Sequence, residues 1–125
     1  MKIEKFEDIE AWQLARALTK SIYAATRKSE FSRDWGLKDQ ITRASGSSMH
    51  NIAEGFDAGS DVEFRRFLRY AQRSCTEVQS ELYVAGDQKY ISQAEFSELY
   101  SQASRTKAAI GGFIKYLNRA TAKTN

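Results

Sequence analysis

Apolar residues recur along this chain at steps of three and four over four long stretches, the spacing that aligns them on one side of an α-helix. Between Gly36 and Gly55 the line is Leu37, Ile41, Ala44, Ser48 and Ile52. Gln40, Arg43, Ser47, Asn51 and Glu54 repeat nearly the same rhythm, about 80° further round at roughly 100° per residue. A polar line beside an apolar one is either half buried and satisfied by neighbouring helices, or it is a contact surface.

The first stretch carries Ile9, Trp12, Leu14, Ala15, Leu18, Ile22, Tyr23 and Ala25, which cover about half the circumference and imply contact with more than one neighbour. The third carries Phe64, Phe67, Leu68, Ala71, Cys75, Val78, Leu82 and Ala85. The fourth carries Phe96, Leu99, Tyr100, Ala103, Thr106, Ile110, Phe113, Ile114 and Leu117. An acid at Glu7 or Asp8 suits the start of the first helix, and Asp34 suits an N-cap of the second. Ser60 with Glu63, and Ser92 with Glu95, match the reciprocal capping box. Gly55 and Gly86 are placed to stop helices, whereas Gly46, Gly111 and Gly112 lie inside them and predict close approach by a neighbour. These signals predict helices over about 8–28, 36–55, 61–86 and 93–119. Phe31 and Trp35, in the link SEFSRDWG, are expected to cover the end of the core. Four long helices on short links predict an all-α fold, an antiparallel up-and-down four-helix bundle occupying residues 1–125 as one domain.

Composition supports that reading. A chain of 125 residues with no proline is long enough for one core and free of the usual helix breaker. The single cysteine, Cys75, forms no intrachain disulfide and reads as a buried thiol. The start, MKIEKFEDIE, has no signal-peptide apolar segment, and no apolar run suits a membrane span, so a cytoplasmic location away from membranes is expected.

Candidate chemistry is sparse. His50 is the sole histidine, which leaves no common zinc site and no evident base for a serine or cysteine nucleophile. Glu54, Glu77 and Glu81 suggest a carboxylate cluster, but a di-iron bundle needs Glu-x-x-His pairs, and none exists here. No catalytic residue, metal or cofactor is therefore expected. The polar line reads as a structural network: a buried Arg43–Glu77 pair, with Gln40, Ser47, Asn51 and Glu54 beside it, fixing helix register. Its alternative is an intersubunit contact or ligand site.

Net charge is only +3, but residues 1–60 hold nine basic and nine acidic side chains while 61–125 hold ten and seven. Arg65, Arg69 and Arg73 recur every fourth residue, with Arg66 alongside and Tyr83 further along, roughly opposite the apolar line. Arg105, Lys115, Arg119 and Lys123 also lie away from the core of their helix. Guanidinium rows bind phosphates and a tyrosine can stack on an unpaired base, so RNA or DNA is the expected partner. On a monomer the same residues also fit an ordinary charged exterior, whereas an oligomer repeats the patch and strengthens its field. A scaffold that contacts a protein partner is the rival reading.

Gln40-Ile41-Thr42-Arg43-Ala44, Ser48 and Asn51-Ile52-Ala53-Glu54-Gly55 resemble a known family, as do Ser60, Glu63-Phe64, Phe67-Leu68, Ala71, Ser74 and Glu77. Phe6, Asp8-Ile9, Trp12 and Tyr90-Ile91 fit it too. The pattern is similar to the bundle proteins encoded in intervening sequences of bacterial 23S rRNA genes. That resemblance implies a bacterial cytoplasmic protein assembled as a ring-shaped homopentamer, with no catalytic residues. The related accessory protein of diversity-generating retroelements implies a basic surface that meets nucleic acid and a reverse transcriptase. Two departures are the missing proline in SEFSRDWG and the glycine at Gly46.

Overall fold

A computed structural model describes residues 2–124, with side chains described through residue 120. Four helices carry the fold: α1 (Glu10–Thr26), α2 (Trp35–Phe56), α3 (Asp61–Asp87) and α4 (Gln93–Thr124). Short 3-10 turns at Phe6–Asp8 and Phe31–Arg33 precede α1 and α2. Each helix packs on the two beside it in an antiparallel four-helix bundle, with α2 on α3, α3 on α4, and α1 closing the square against both α2 and α4. The apolar lines meet in one core, in which Leu18, Ile22, Ile41, Ile52, Leu68, Val78, Leu82 and Ile110 are wholly buried.

Helix ends follow capping chemistry, with instructive exceptions. Asp34 caps α2 by accepting from the Leu37 amide at 3.1 Å. Its other oxygen accepts from the Tyr90 hydroxyl at 2.9 Å, and Tyr90 stacks on buried Phe31 at 5.3 Å. This group closes one end of the bundle. The α4 capping box is complete: Glu95 N donates to Ser92 Oγ at 3.1 Å, and Ser92 N donates to Glu95 Oε1 at 2.8 Å. At α3 only the first half forms, Glu63 N to Ser60 Oγ at 3.2 Å, because the Glu63 carboxylate faces Arg66 instead. Asp8 does not start α1; it accepts from the amides of Glu4 and Lys5 and closes the preceding turn, and α1 begins two residues later.

The expected glycine stops are corrected. Gly55 lies inside α2, and its missing side chain serves packing: a Cβ there would sit 2.8 Å from Phe67 Cβ and 2.9 Å from Phe64 Cδ1. Gly86 is also helical, and Lys89 takes the left-handed conformation at φ 61°. Lys89 N bonds to Gly86 O and Tyr90 N to Ala85 O, the paired bonds of a Schellman stop. Gly46 meets no other helix, since a Cβ there would touch only His50 of its own helix, 3.6 Å away. Trp35 does not cover the core and is 77% exposed beside Lys38, because the Phe31–Tyr90 stack already fills that end.

One substitution should therefore have opposite signs at two sites. Gly55→Ala should destabilise the bundle by about 1–3 kcal/mol through overpacking of the α2–α3 contact. Gly112→Ala, where a Cβ meets nothing within 4 Å, should stabilise it by about 1 kcal/mol through helix propensity. Urea unfolding of both variants checks the pair.

Candidate nucleic-acid interface

Because the apolar line from Phe64 to Ala85 faces the core, the opposite side of α3 must carry its charges. Arg66, Arg69 and Arg73 are exposed there, and Arg65 is half-buried and engaged by a neighbour. Tyr70 organises two of them. Its hydroxyl accepts from Arg66 Nε at 2.8 Å, while the guanidinium groups of Arg66 and Arg73 lie 5.5 and 5.8 Å from its ring centroid. Such cation–π contacts restrict the guanidinium without neutralising it. Arg66 also lies 3.5 Å from Glu63, an exposed ion pair that is weak in water.

The register of α4 decides what stands beside this row. Gln72 Nε2 donates to the Lys107 carbonyl at 3.4 Å, and Gly111 lies so close that a Cβ would sit 3.0 Å from the same nitrogen. The middle of α3 is thus level with the stretch of α4 that bears Arg105, Lys107 and Lys115. Arg105, Lys115 and Arg119 are exposed and Lys107 is half-buried; the side chain of Lys123 lies outside the described residues. Neither residues 64–76 nor residues 99–120 contain an aspartate or glutamate. Two acid-free basic segments consequently lie side by side. Between them runs an open groove of about 560 Å³, lined by Gln72, Gln79, Tyr100, Ser104, Lys107 and Lys115 with Gly111 and Gly112.

Tyr83 lies beyond the arginine row. It is 55% exposed and packs against Phe96 at 4.9 Å and Tyr100 at 5.9 Å, forming an aromatic end to the same α3–α4 seam. Lys107, Gln72 and Tyr70 were missed by sequence reasoning. The signal for Tyr70 was available, since it stands four residues after Arg66 and three before Arg73. Lys107 and Gln72 become part of the surface only through the interhelical register.

The polar line of α2 divides in a way that corrects the expected network. Arg43 does not meet Glu77; its Nε donates to Asp39 Oδ1 at 3.1 Å and its side chain is 80% exposed. One turn of its own helix supplies a carboxylate at lower conformational cost than reaching across to α3. Gln40, Glu54 and Glu77 are exposed as well. Only Ser47 and Asn51 are half-buried and linked: Asn51 Nδ2 donates to Ser47 Oγ at 2.8 Å, and Ser74 Oγ of α3 donates to the same oxygen at 3.0 Å. His50 is exposed, and no group of three metal-ligating side chains is found among the described residues. The buried Cys75 thiol is pushed up to about 12 by desolvation, against a lowering influence of the Lys107 charge, which makes it unreactive.

Glu81 is the anomaly. Only 8% exposed, it leaves Oε1 without a hydrogen-bond partner. Burial, then repulsion by Glu77 and a hydrogen bond between the two carboxyls, raises it from 4.5 to about 8.

Residues 7–112 match the model of the family described as "23S rRNA-intervening sequence protein", a span that contains α1, α2, α3 and more than half of α4. No curated protein matches the chain.

Between the unfolded value near 4.5 and the folded value near 8, the folded chain holds more protons at Glu81 than the unfolded chain. Stability should therefore fall as pH rises through that window. Glu81→Gln should raise stability by about 1–3 kcal/mol at pH near 8.5, where the wild type buries a charge, and by much less near pH 5. Urea midpoints at the two pH values test this.

Proposed function

Since the chain belongs to the family of 23S rRNA-intervening sequence proteins, we propose that it is a non-enzymatic, homo-oligomeric bundle of the bacterial cytoplasm that binds RNA or DNA with weak sequence specificity. The observation that carries this reading is the pairing of two acid-free basic segments, α3 residues 64–76 and α4 residues 99–120, on one side of the molecule. Phosphates would be held by Arg66, Arg69 and Arg73 on one flank and by Arg105, Lys115 and Arg119 on the other. Tyr70 keeps two of these guanidinium groups together before any ligand arrives, which lowers the entropy lost on binding. The mechanism is neutralisation of phosphate charge with release of counterions, so affinity falls steeply with salt.

A second reading, a contact with a protein such as another copy of this chain or a reverse transcriptase, is favoured by a different observation. Trp35 is 77% exposed and Val62 is 67% exposed, both large apolar side chains left in water at helix starts. Exposed tryptophan is typical of an anchor awaiting a pocket. Homo-oligomer formation, as a pentamer by the family resemblance, uses this feature without competing with the basic face.

Replacing Arg69 and Arg73 together by glutamate should leave the helical circular-dichroism signal intact and weaken binding of a labelled RNA at least tenfold at about 50 mM salt. Absence of wild-type binding under those conditions refutes the nucleic-acid reading. Trp35→Ala should leave the melting temperature within a few degrees of wild type while lowering the mass seen by light scattering. An unchanged mass removes Trp35 from the assembly.

A further inference from the structure

The groove between α3 and α4 differs from four other depressions among the described residues in the sign of its walls. Depressions elsewhere are lined in part by Glu10, by Asp61, by Asp87, or by Glu95 and Glu98. The α3–α4 groove has two lysines and no carboxylate in its lining. Its floor is open because two consecutive glycines stand there. Gly112 faces empty space, and Gly111 admits the Gln72 amide where any Cβ would crowd it.

Neutral hydrogen-bonding groups run along that floor. Gln79 Nε2 donates to Ser104 Oγ at 2.8 Å, so the serine oxygen is held as an acceptor while its own O–H remains to donate. At the far end stands Tyr100, whose ring belongs to the cluster with Phe96 and Tyr83. From Gln72 to Tyr83 the seam extends about 16 Å, at a rise of roughly 1.5 Å per residue. The order across the groove is therefore cations at the rim, amides and a hydroxyl on the floor, and an aromatic ring at one end.

We propose that this groove binds single-stranded RNA, with phosphates on the flanking cations and unpaired bases turned toward the floor and Tyr100. The proposal rests on the nucleic-acid reading above and narrows it. A duplex keeps its bases paired and stacked on one another, so it cannot turn them toward the floor or Tyr100. An unpaired strand offers both the bases and the backbone. The neutral floor supplies partners for ribose 2′-hydroxyls, which a DNA strand lacks.

The test is fluorescence anisotropy of the full chain at about 50 mM salt with one mixed-sequence oligonucleotide of about twelve residues. It is presented as single-stranded RNA, as the RNA duplex and as single-stranded DNA. Single-stranded RNA should bind at least tenfold more tightly than the duplex and several-fold more tightly than the DNA. Gly112→Glu, which adds a carboxylate at an open helical position, should lower single-strand affinity at least tenfold with no loss of melting temperature. Lys115→Gln should lower it several-fold. Equal affinity for single strand and duplex, with Gly112→Glu silent, overturns the groove and leaves binding at the arginine row standing. Equal affinity for RNA and DNA strands overturns the choice of RNA. Failure of the wild type to bind any of the three overturns this proposal and the wider reading together.

Discussion

Burial of the apolar line of α3, from Phe64 to Ala85, is the constraint on which the molecule's outward chemistry depends. Leu68, Ala71, Cys75, Val78, Leu82 and Ala85 are all fully enclosed, between α2 on one side and α4 on the other. Enclosing that line is favourable by roughly 25 cal/mol for each Å² of apolar surface withdrawn from water. No rotation of α3 can therefore bury its arginines instead. Their outward direction is a consequence of the core, and Tyr70 then gathers two of them with a hydrogen bond and its ring.

The two edges of α3 are built differently, and that difference separates support from candidate function. Toward α2 the fit is close: Gly55 lets the Phe64 ring and the Phe67 Cβ approach the α2 backbone, and Ser74 joins the Ser47–Asn51 pair. Toward α4 the seam is more open, tied by two glutamine amides and lined by two glycines. A closely packed edge sets helix register. An open polar edge leaves room for a ligand.

Carboxylates follow the same logic with the opposite outcome. Glu63 and Asp39 find cations one turn away on their own helices, and Glu95 closes a capping box while pairing with Lys28, two residues past the end of α1. Glu81 is buried and has only the like-charged Glu77 beside it, so burial first and that repulsion second let it keep its proton to higher pH. A carboxyl buried without a cation is a local cost that the surrounding core has to offset.

Periodicity along the chain was enough to determine four helices, most of the residues on their inner faces, the Asp34 cap and the Ser92–Glu95 box, because each depends on neighbours within a few residues; Tyr23, expected on the inner line of the first helix, is instead 46% exposed. It also determined that Arg66, Arg69 and Arg73 point away from the core, since that follows from helix geometry alone, whereas Arg65 is half-buried at the edge of that row. The tertiary structure decided what local spacing cannot encode. Arg43 turned to Asp39 rather than Glu77, Gly55 served packing rather than a stop, Trp35 was left in water, and Lys107 and Gln72 met across α3 and α4. Each outcome depends on the axial offset and separation of two helices, quantities set by all side chains in the contact at once.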